Sequence, residues 1–163
     1  MELPNRKSTR LKHYDYSKAG AYFITICTQN RLNLLSTIVG EGSPLPCLTD
    51  SGKIVDDLIH KIQTNYPEMS VDYYVIMPNH IHLLIRISRH INSTEHSEKL
   101  YAAMGWFKYM ATKAINQIAN TPGCKIFQRS FHDHIVRNEQ DYYAIAQYII
   151  NNPTSWYLDC FYN

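Results

Sequence analysis

The stretch 71–87, VDYYVIMPNHIHLLIRI, constrains this chain more than any other. It reads as two strands joined by a tight connection at Pro78-Asn79, and the second strand opens with His80 and His82. Successive strand side chains point to opposite faces, so the two imidazoles share a face ~7 Å apart along the strand. Ile81, Leu83, Ile85 and Ile87 form an apolar stripe on the other face. The histidine face continues with Leu84 and Arg86 and is the more polar of the two. A rigid strand thus presents two nitrogen donors with a cation beside them. Such a pair is either half of a metal site or two ordinary histidines on a half-exposed strand.

Hydrophobic periodicity places the remaining elements around this pair. The segment 22–28, YFITICT, is β-branched and aromatic and predicts a strand. An irregular connection follows over 29–52, punctuated by Gly40, Gly42, Pro44, Pro46 and Ser51-Gly52, with room for a short edge strand at 34–39. Over 53–65, Ile54, Val55, Leu58, Ile59 and Ile62 recur at helical spacing, and Tyr66-Pro67 ends the helix. A polar loop occupies 88–97. From position 98 onward, Leu100, Met104, Phe107, Ala111, Ala114, Ile115 and Ile118 mark a long amphipathic helix, broken at Thr121-Pro122-Gly123. A strand within 126–137 and a helix over 139–151, with Ile145, Ile149 and Tyr142 inward, complete the order. The sequence strand, helix, strand, strand, helix, strand, helix predicts an α+β fold. It is a ferredoxin-like split βαβ sandwich with an antiparallel sheet and one additional C-terminal helix.

The 163 residues suffice for a single domain spanning 1–163, with 45% hydrophobic and 18% charged residues, a globular composition. No apolar run approaches the ~20 residues needed to cross a bilayer, and the first residues lack the apolar centre of a secretory signal. Cys27, Cys47, Cys124 and Cys160 are scattered without a C-x-x-C pair and read as reduced thiols of a cytoplasmic protein. Net charge is only +2, but four of the 16 Lys and Arg residues, Arg6, Lys7, Arg10 and Lys12, fall in the first 12 positions, within the N-terminal arm over 1–20. Such an arm suits a phosphate backbone, or is a solvated terminus. The 13 tyrosines serve equally for stacking on nucleobases or for core packing.

On the last predicted helix, Tyr148 and Asn152 are four residues apart and so lie within about 40° of one another, one turn apart. Asn152 precedes Pro153, where the helix should unwind and free the amide carbonyl to turn inward. Taken with His80 and His82, one amide oxygen makes an incomplete shell of mixed nitrogen and oxygen ligands. That set suits magnesium or manganese, with zinc possible, and open positions mark a catalytic ion. Tyrosine is a credible nucleophile beside such an ion, giving a covalent phosphotyrosine, although its free pKa of about 10 requires loss of a proton in the step.

The ordered set YFITICT, MPNHIHL at 77–83, GWFK at 105–108, FHDHIVRN at 131–138 and YIINNP at 148–153 resembles the single-tyrosine HUH transposases, and within them the REP-associated tyrosine transposases. The resemblance spans about 10–156. It implies that His80 and His82 bind the metal, that Asn152 completes the site and that Tyr148 is the nucleophile. It further implies cleavage of single-stranded DNA, leaving a 5′-phosphotyrosine and a free 3′-hydroxyl. The asparagine fits the REP-associated branch, where monomers are plausible beside the homodimers of other members. A second H-x-H, His132-Asp133-His134, falls in the family's F-x-x-H-x-x-R stretch, not in its metal pair. With the arm, Arg86, Lys108, His134 and Arg137 are candidate contacts to single-stranded or hairpin DNA. Two other classes remain open: an inert single-stranded nucleic-acid-binding domain, and a metal-dependent phosphodiesterase that uses water.

Overall fold

The computed structural model describes residues 20–40, 45–87 and 99–162. The basic arm with Arg6, Lys7, Arg10 and Lys12 lies outside them. In chain order come β1 (Gly20–Cys27), β2 (Ser36–Val39), β3 (Leu45–Leu48), α1 (Asp50–Asn65), β4 (Met69–Ile76), β5 (His80–Ile87), α2 (Lys99–Ala119), β6 (His132–Val136) and α3 (Glu139–Asn151). One sheet has the order β4-β5-β1-β6, every neighbouring pair antiparallel. β5 therefore sits between the two strands flanking α1, and β1 between the two flanking α2. That is the split βαβ arrangement the periodicity predicts.

The alternation along β1 and β5 divides the molecule into layers. Tyr22, Ile24 and Ile26 of β1 and Ile81, Leu83, Ile85 and Ile87 of β5 pack beneath α1 and α2, where Val55, Ile59, Ile62, Met104, Phe107 and Ala111 meet them. The opposite face carries Leu84 and Val75, covered by Ile145, Ala146 and Ile149 of α3 and by Trp156. The histidine face is therefore not half-exposed. β5 is buried at every position except Arg86, because α3 and the segment after it cover what an open sheet would expose.

The turn at Pro78-Asn79 is buried and its backbone is accounted for. The Pro78 carbonyl accepts from the Leu34 and Leu35 amides at 2.9 Å each, and the Asn79 carbonyl from the Thr28 amide at 2.9 Å. One expectation about the connections is corrected. The stretch over 29–52 contains a second sheet, the hairpin of β2 and β3, in which Pro46 lies opposite Ile38. A proline is tolerated there because a two-stranded ribbon has only edge strands. The strand expected within 126–137 is β6, and outside it Phe127 forms an isolated bridge with Thr28. Among the described residues, no helix is long and apolar enough to cross a membrane.

Helix α1 starts earlier than its apolar periodicity because Thr49 caps it, accepting from the Gly52 amide at 3.1 Å. The same hydroxyl reaches the Leu34 and Leu35 carbonyls at 2.8 and 2.9 Å, which pulls that backbone onto the first helical turn. A β-carbon on Gly52 would stand 2.0 Å from the Leu35 carbonyl oxygen. Helix propensity alone favours Gly52→Ala by about 1 kcal/mol, but the clash is with backbone and cannot be relieved by a rotamer. Gly52→Ala should therefore destabilise the protein by roughly 3 kcal/mol, the upper range for overpacking, measured by denaturant unfolding.

Candidate metal and nucleophile site

β5 delivers His80 and His82 side by side, with ring centroids 4.5 Å apart and exposures of 0% and 1%. One nitrogen of His80 and both nitrogens of His82 have partners. His80 Nδ1 lies 2.9 Å from Asn79 Oδ1, and Asn79 Nδ2 donates to the Phe161 carbonyl at 2.7 Å. That donation orients the Asn79 amide so that Oδ1 accepts from His80 Nδ1–H, leaving Nε2 of His80 with a bare lone pair. His82 Nδ1 lies 2.8 Å from the hydroxyl of Thr25, its cross-strand neighbour on β1. Its Nε2 faces the Tyr148 hydroxyl at 3.4 Å, a long contact.

α3 supplies Tyr148 and Asn152. Its start is fixed by Asn138, which accepts from the Asp141 amide at 2.8 Å, and by Glu139 and Asp141, whose charges suit a helix N-terminus. Contrary to the expected unwinding, Asn152 keeps helical dihedrals (φ −56°, ψ −41°). Helix gives way to turns through Pro153, with Ser155 N–H on the Asn151 and Asn152 carbonyls and Trp156 N–H on the Pro153 carbonyl. A short 3-10 helix, Trp156–Leu158, then turns the chain back across the histidines. The Phe161 ring packs on His80 at 4.6 Å and Trp156 at 6.0 Å. Asp159 arrives beside Asn152, accepting from its Nδ2 at 2.8 Å.

Asn152 is 1% exposed. Among the described residues, the buried side-chain polar atoms left without a hydrogen-bond partner are His80 Nε2 and Asn152 Oδ1. Both are acceptors, and both belong to residues predicted to share a site. Ligand-capable atoms of His80, His82 and Asp159 lie within 4.8 Å of one another. Orphaned buried acceptors are costly unless something fills the space between them, and a divalent cation fits that donor set.

Burial controls the protonation of the cluster. Desolvation lowers the His80 pKa to about 4, against the opposing pull of the Asp159 carboxylate and the nearby Asn152 amide. Desolvation, with the neighbouring His80, also holds His82 well below the ordinary imidazole value. Both rings are therefore neutral near pH 7, the form that binds metals. Burial first, then the charge of Asp159, pushes the Tyr148 phenol up to about 12. At neutral pH it is a protonated phenol.

The three tyrosines of α3 are now distinct. Tyr142 donates to Asp72 Oδ2 at 2.7 Å and Tyr143 is exposed, whereas Tyr148 is 43% exposed and alone of the three faces the histidines. The predicted DNA contacts are dispersed. Arg86 is paired with Asp72 at 3.1 Å, and His134 lies 3.1 Å from Asp141 Oδ2, both at the surface. Arg137 is exposed just beyond β6. The Lys108 ammonium is taken up by the Gln128 and Arg129 carbonyls, with its pKa lowered by burial. Sequence reasoning missed Asp159, Asn79 and Thr25. None lies in a ligand-like spacing, and only Asn79, next to His80, carried a local signal.

No protein-family model matches the chain. An uncharacterised protein of Haemophilus influenzae is 32% identical over 175 residues, covering 98% of this chain and 94% of its own length. A second protein of that organism, provisionally described as a REP-associated tyrosine transposase, is 24% identical and aligns with 85% of this chain and 73% of its own. Among solved structures, a REP-associated tyrosine transposase bound to a REP hairpin matches with a TM-score of 0.64 at 22% identity, covering 90% of this chain and 73% of that one. The α+β architecture with its antiparallel sheet is the transposase fold of these neighbours. Within that class, the chain is similar in sequence and in fold to REP-associated tyrosine transposases.

Proposed function

We propose that the protein is a metal-dependent single-stranded DNA endonuclease and strand transferase acting through a 5′-phosphotyrosine intermediate, with DNA hairpins as substrate. The observation that carries this reading is the pair of partnerless buried acceptors, His80 Nε2 and Asn152 Oδ1, beside the Tyr148 hydroxyl. His80, His82 and Asn152 hold a magnesium or manganese ion in this reading. An ion bound there would supply positive charge to stabilise a scissile phosphate during in-line attack.

The chain's own groups account for the rest. Tyr148 Oη attacks phosphorus, the phenol gives up its proton, and the bond from phosphorus to the 3′-oxygen breaks. The 3′-oxygen leaves and is protonated, while the 5′ side stays on the tyrosine as a phosphodiester. One ester replaces another, so the reverse attack by a 3′-hydroxyl rejoins strands without a nucleotide cofactor. Tyr148 and His82 meet within a single chain, which supports action as a monomer. The hairpin substrate is supported by the hairpin-bound structural neighbour. The arm, Arg86, His134 and Arg137 supply the proposed phosphate contacts, a role in which Lys108 is limited by its backbone partners.

The test is a denaturing gel of the full chain incubated with end-labelled hairpin DNA, with and without manganese. A metal-dependent covalent protein–DNA band is expected. Cleaved DNA with no such band would mean that water is the nucleophile, and no cleavage with retained binding would mean an inert binding domain.

A further inference from the structure

Asn152 presents a problem that the histidines do not. An amide has two ends of similar shape and opposite polarity, and an NH2 group turned toward a cation would repel it. Something must choose the end that faces His80 and His82. Among the described residues, the neighbouring groups of suitable charge reduce to one, Asp159, half-buried at the end of the turn that follows the 3-10 helix.

We infer that Asp159 is a positioning residue for the proposed cation site, holding the Asn152 amide so that Oδ1 faces the histidines. A carboxylate only accepts hydrogen bonds, so it can engage the amide solely through Nδ2, as it does at 2.8 Å. The carboxylate is itself fixed, since its Oδ1 accepts from the Phe161 amide at 2.8 Å. The Phe161 carbonyl in turn accepts from Asn79 Nδ2 at 2.7 Å, and Asn79 Oδ1 meets His80 Nδ1 at 2.9 Å. One continuous chain of hydrogen bonds thus runs from Asn152 through Asp159, Phe161 and Asn79 to His80. Its two ends are the two partnerless acceptors, Asn152 Oδ1 and His80 Nε2. The two end links engage the Asn152 and His80 donors and leave a lone pair on each residue without a protein partner. Outer groups that orient metal ligands in this way contribute tenfold to a hundredfold in affinity.

The inference rests on the proposed cation site, and its test separates the two. Manganese alone is titrated calorimetrically into the full chain, into Asp159→Ala, into Asn152→Ala and into the double variant, with metal-free thermal unfolding recorded for each. Asp159→Ala should weaken manganese binding by about 10- to 100-fold. The same substitution in the Asn152→Ala background should cost clearly less, because the group it positions is gone. Unchanged affinity in Asp159→Ala overturns the inference. So does a loss undiminished by Asn152→Ala, which would show the carboxylate acting independently of the amide. If Asp159→Ala does not fold, Asp159→Asn takes its place in the same cycle under the same criteria, since it preserves the shape. Failure of the unsubstituted chain to bind manganese would sink the cation site itself and this inference with it. Binding by the unsubstituted chain together with an indifferent Asp159→Ala would sink only the role of Asp159.

Discussion

Tyr148→Phe should fold, bind hairpin DNA and form no covalent adduct. The substitution removes one oxygen and keeps the ring that meets Phe23 edge-on at 6.0 Å and His82 at 5.3 Å. The lost contact is a 3.4 Å one at a part-exposed position, so its cost to stability is about 1 kcal/mol or less. Its cost to the reaction is of another order. Removing a covalent nucleophile costs on the order of 10⁶-fold in a well-studied hydrolase, and here strand cleavage and the adduct should fall below detection together. Tyr142→Phe makes the opposite comparison. It breaks a 2.7 Å bond to the Asp72 carboxylate and should lose more stability, roughly 2 kcal/mol, yet still form the adduct. Tyr143→Phe, at an exposed position, should change neither. Peptide mapping of the DNA-linked protein checks the assignment, and a linkage to any other tyrosine would refute it. Undiminished cleavage by Tyr148→Phe would point to a phosphodiesterase that uses water.

Replacing His80 and His82 together with Ala should lower manganese affinity by at least ~100-fold, since loss of an outer orienting group alone reaches that scale. Cleavage should disappear with it. Both side chains are buried, so each truncation also leaves a cavity costing a few kcal/mol. Circular dichroism of the metal-free variant must therefore show the fold intact before calorimetry is read. His132→Ala and His134→Ala provide the control. Both lie exposed on β6, and His134 is directed to Asp141 instead. Metal affinity should be nearly unchanged in both, and a large loss there would mean that the wrong H-x-H pair was chosen.

What the sequence made legible follows from period. The two-residue repeat of 80–87 put both imidazoles on one face, and the four-residue interval put Tyr148 and Asn152 on one side of a helix. Each is a local statement and needs no knowledge of the rest of the chain. The burial of the histidines was not legible in the same way, because it depends on Trp156 and Phe161 returning over them after a 3-10 helix. Asp159 was hidden for the same reason: the run WYLDCFYN has neither period nor motif, and its carboxylate acquires meaning only beside Asn152. The hairpin of β2 and β3 was masked by the glycines and prolines around it. Asn152 was expected to leave the helix because a proline follows, yet the turns after Pro153 continue the right-handed path.

The hydrogen bonds that assemble the cluster join residues far apart in the chain: 57 positions between Thr25 and His82, 66 between His82 and Tyr148, and 82 between Asn79 and Phe161. Contacts of such separation are rewarded only after the loop entropy for closing them has been met, so they consolidate late in folding. β1, the strand that carries Thr25, pairs with β5 on one side and β6 on the other, and its register must be complete before Thr25 meets His82. A partly folded chain therefore holds the tyrosine and the histidines without holding them together. The proposed competence to break DNA would therefore arise only with the closed sheet and be lost with it.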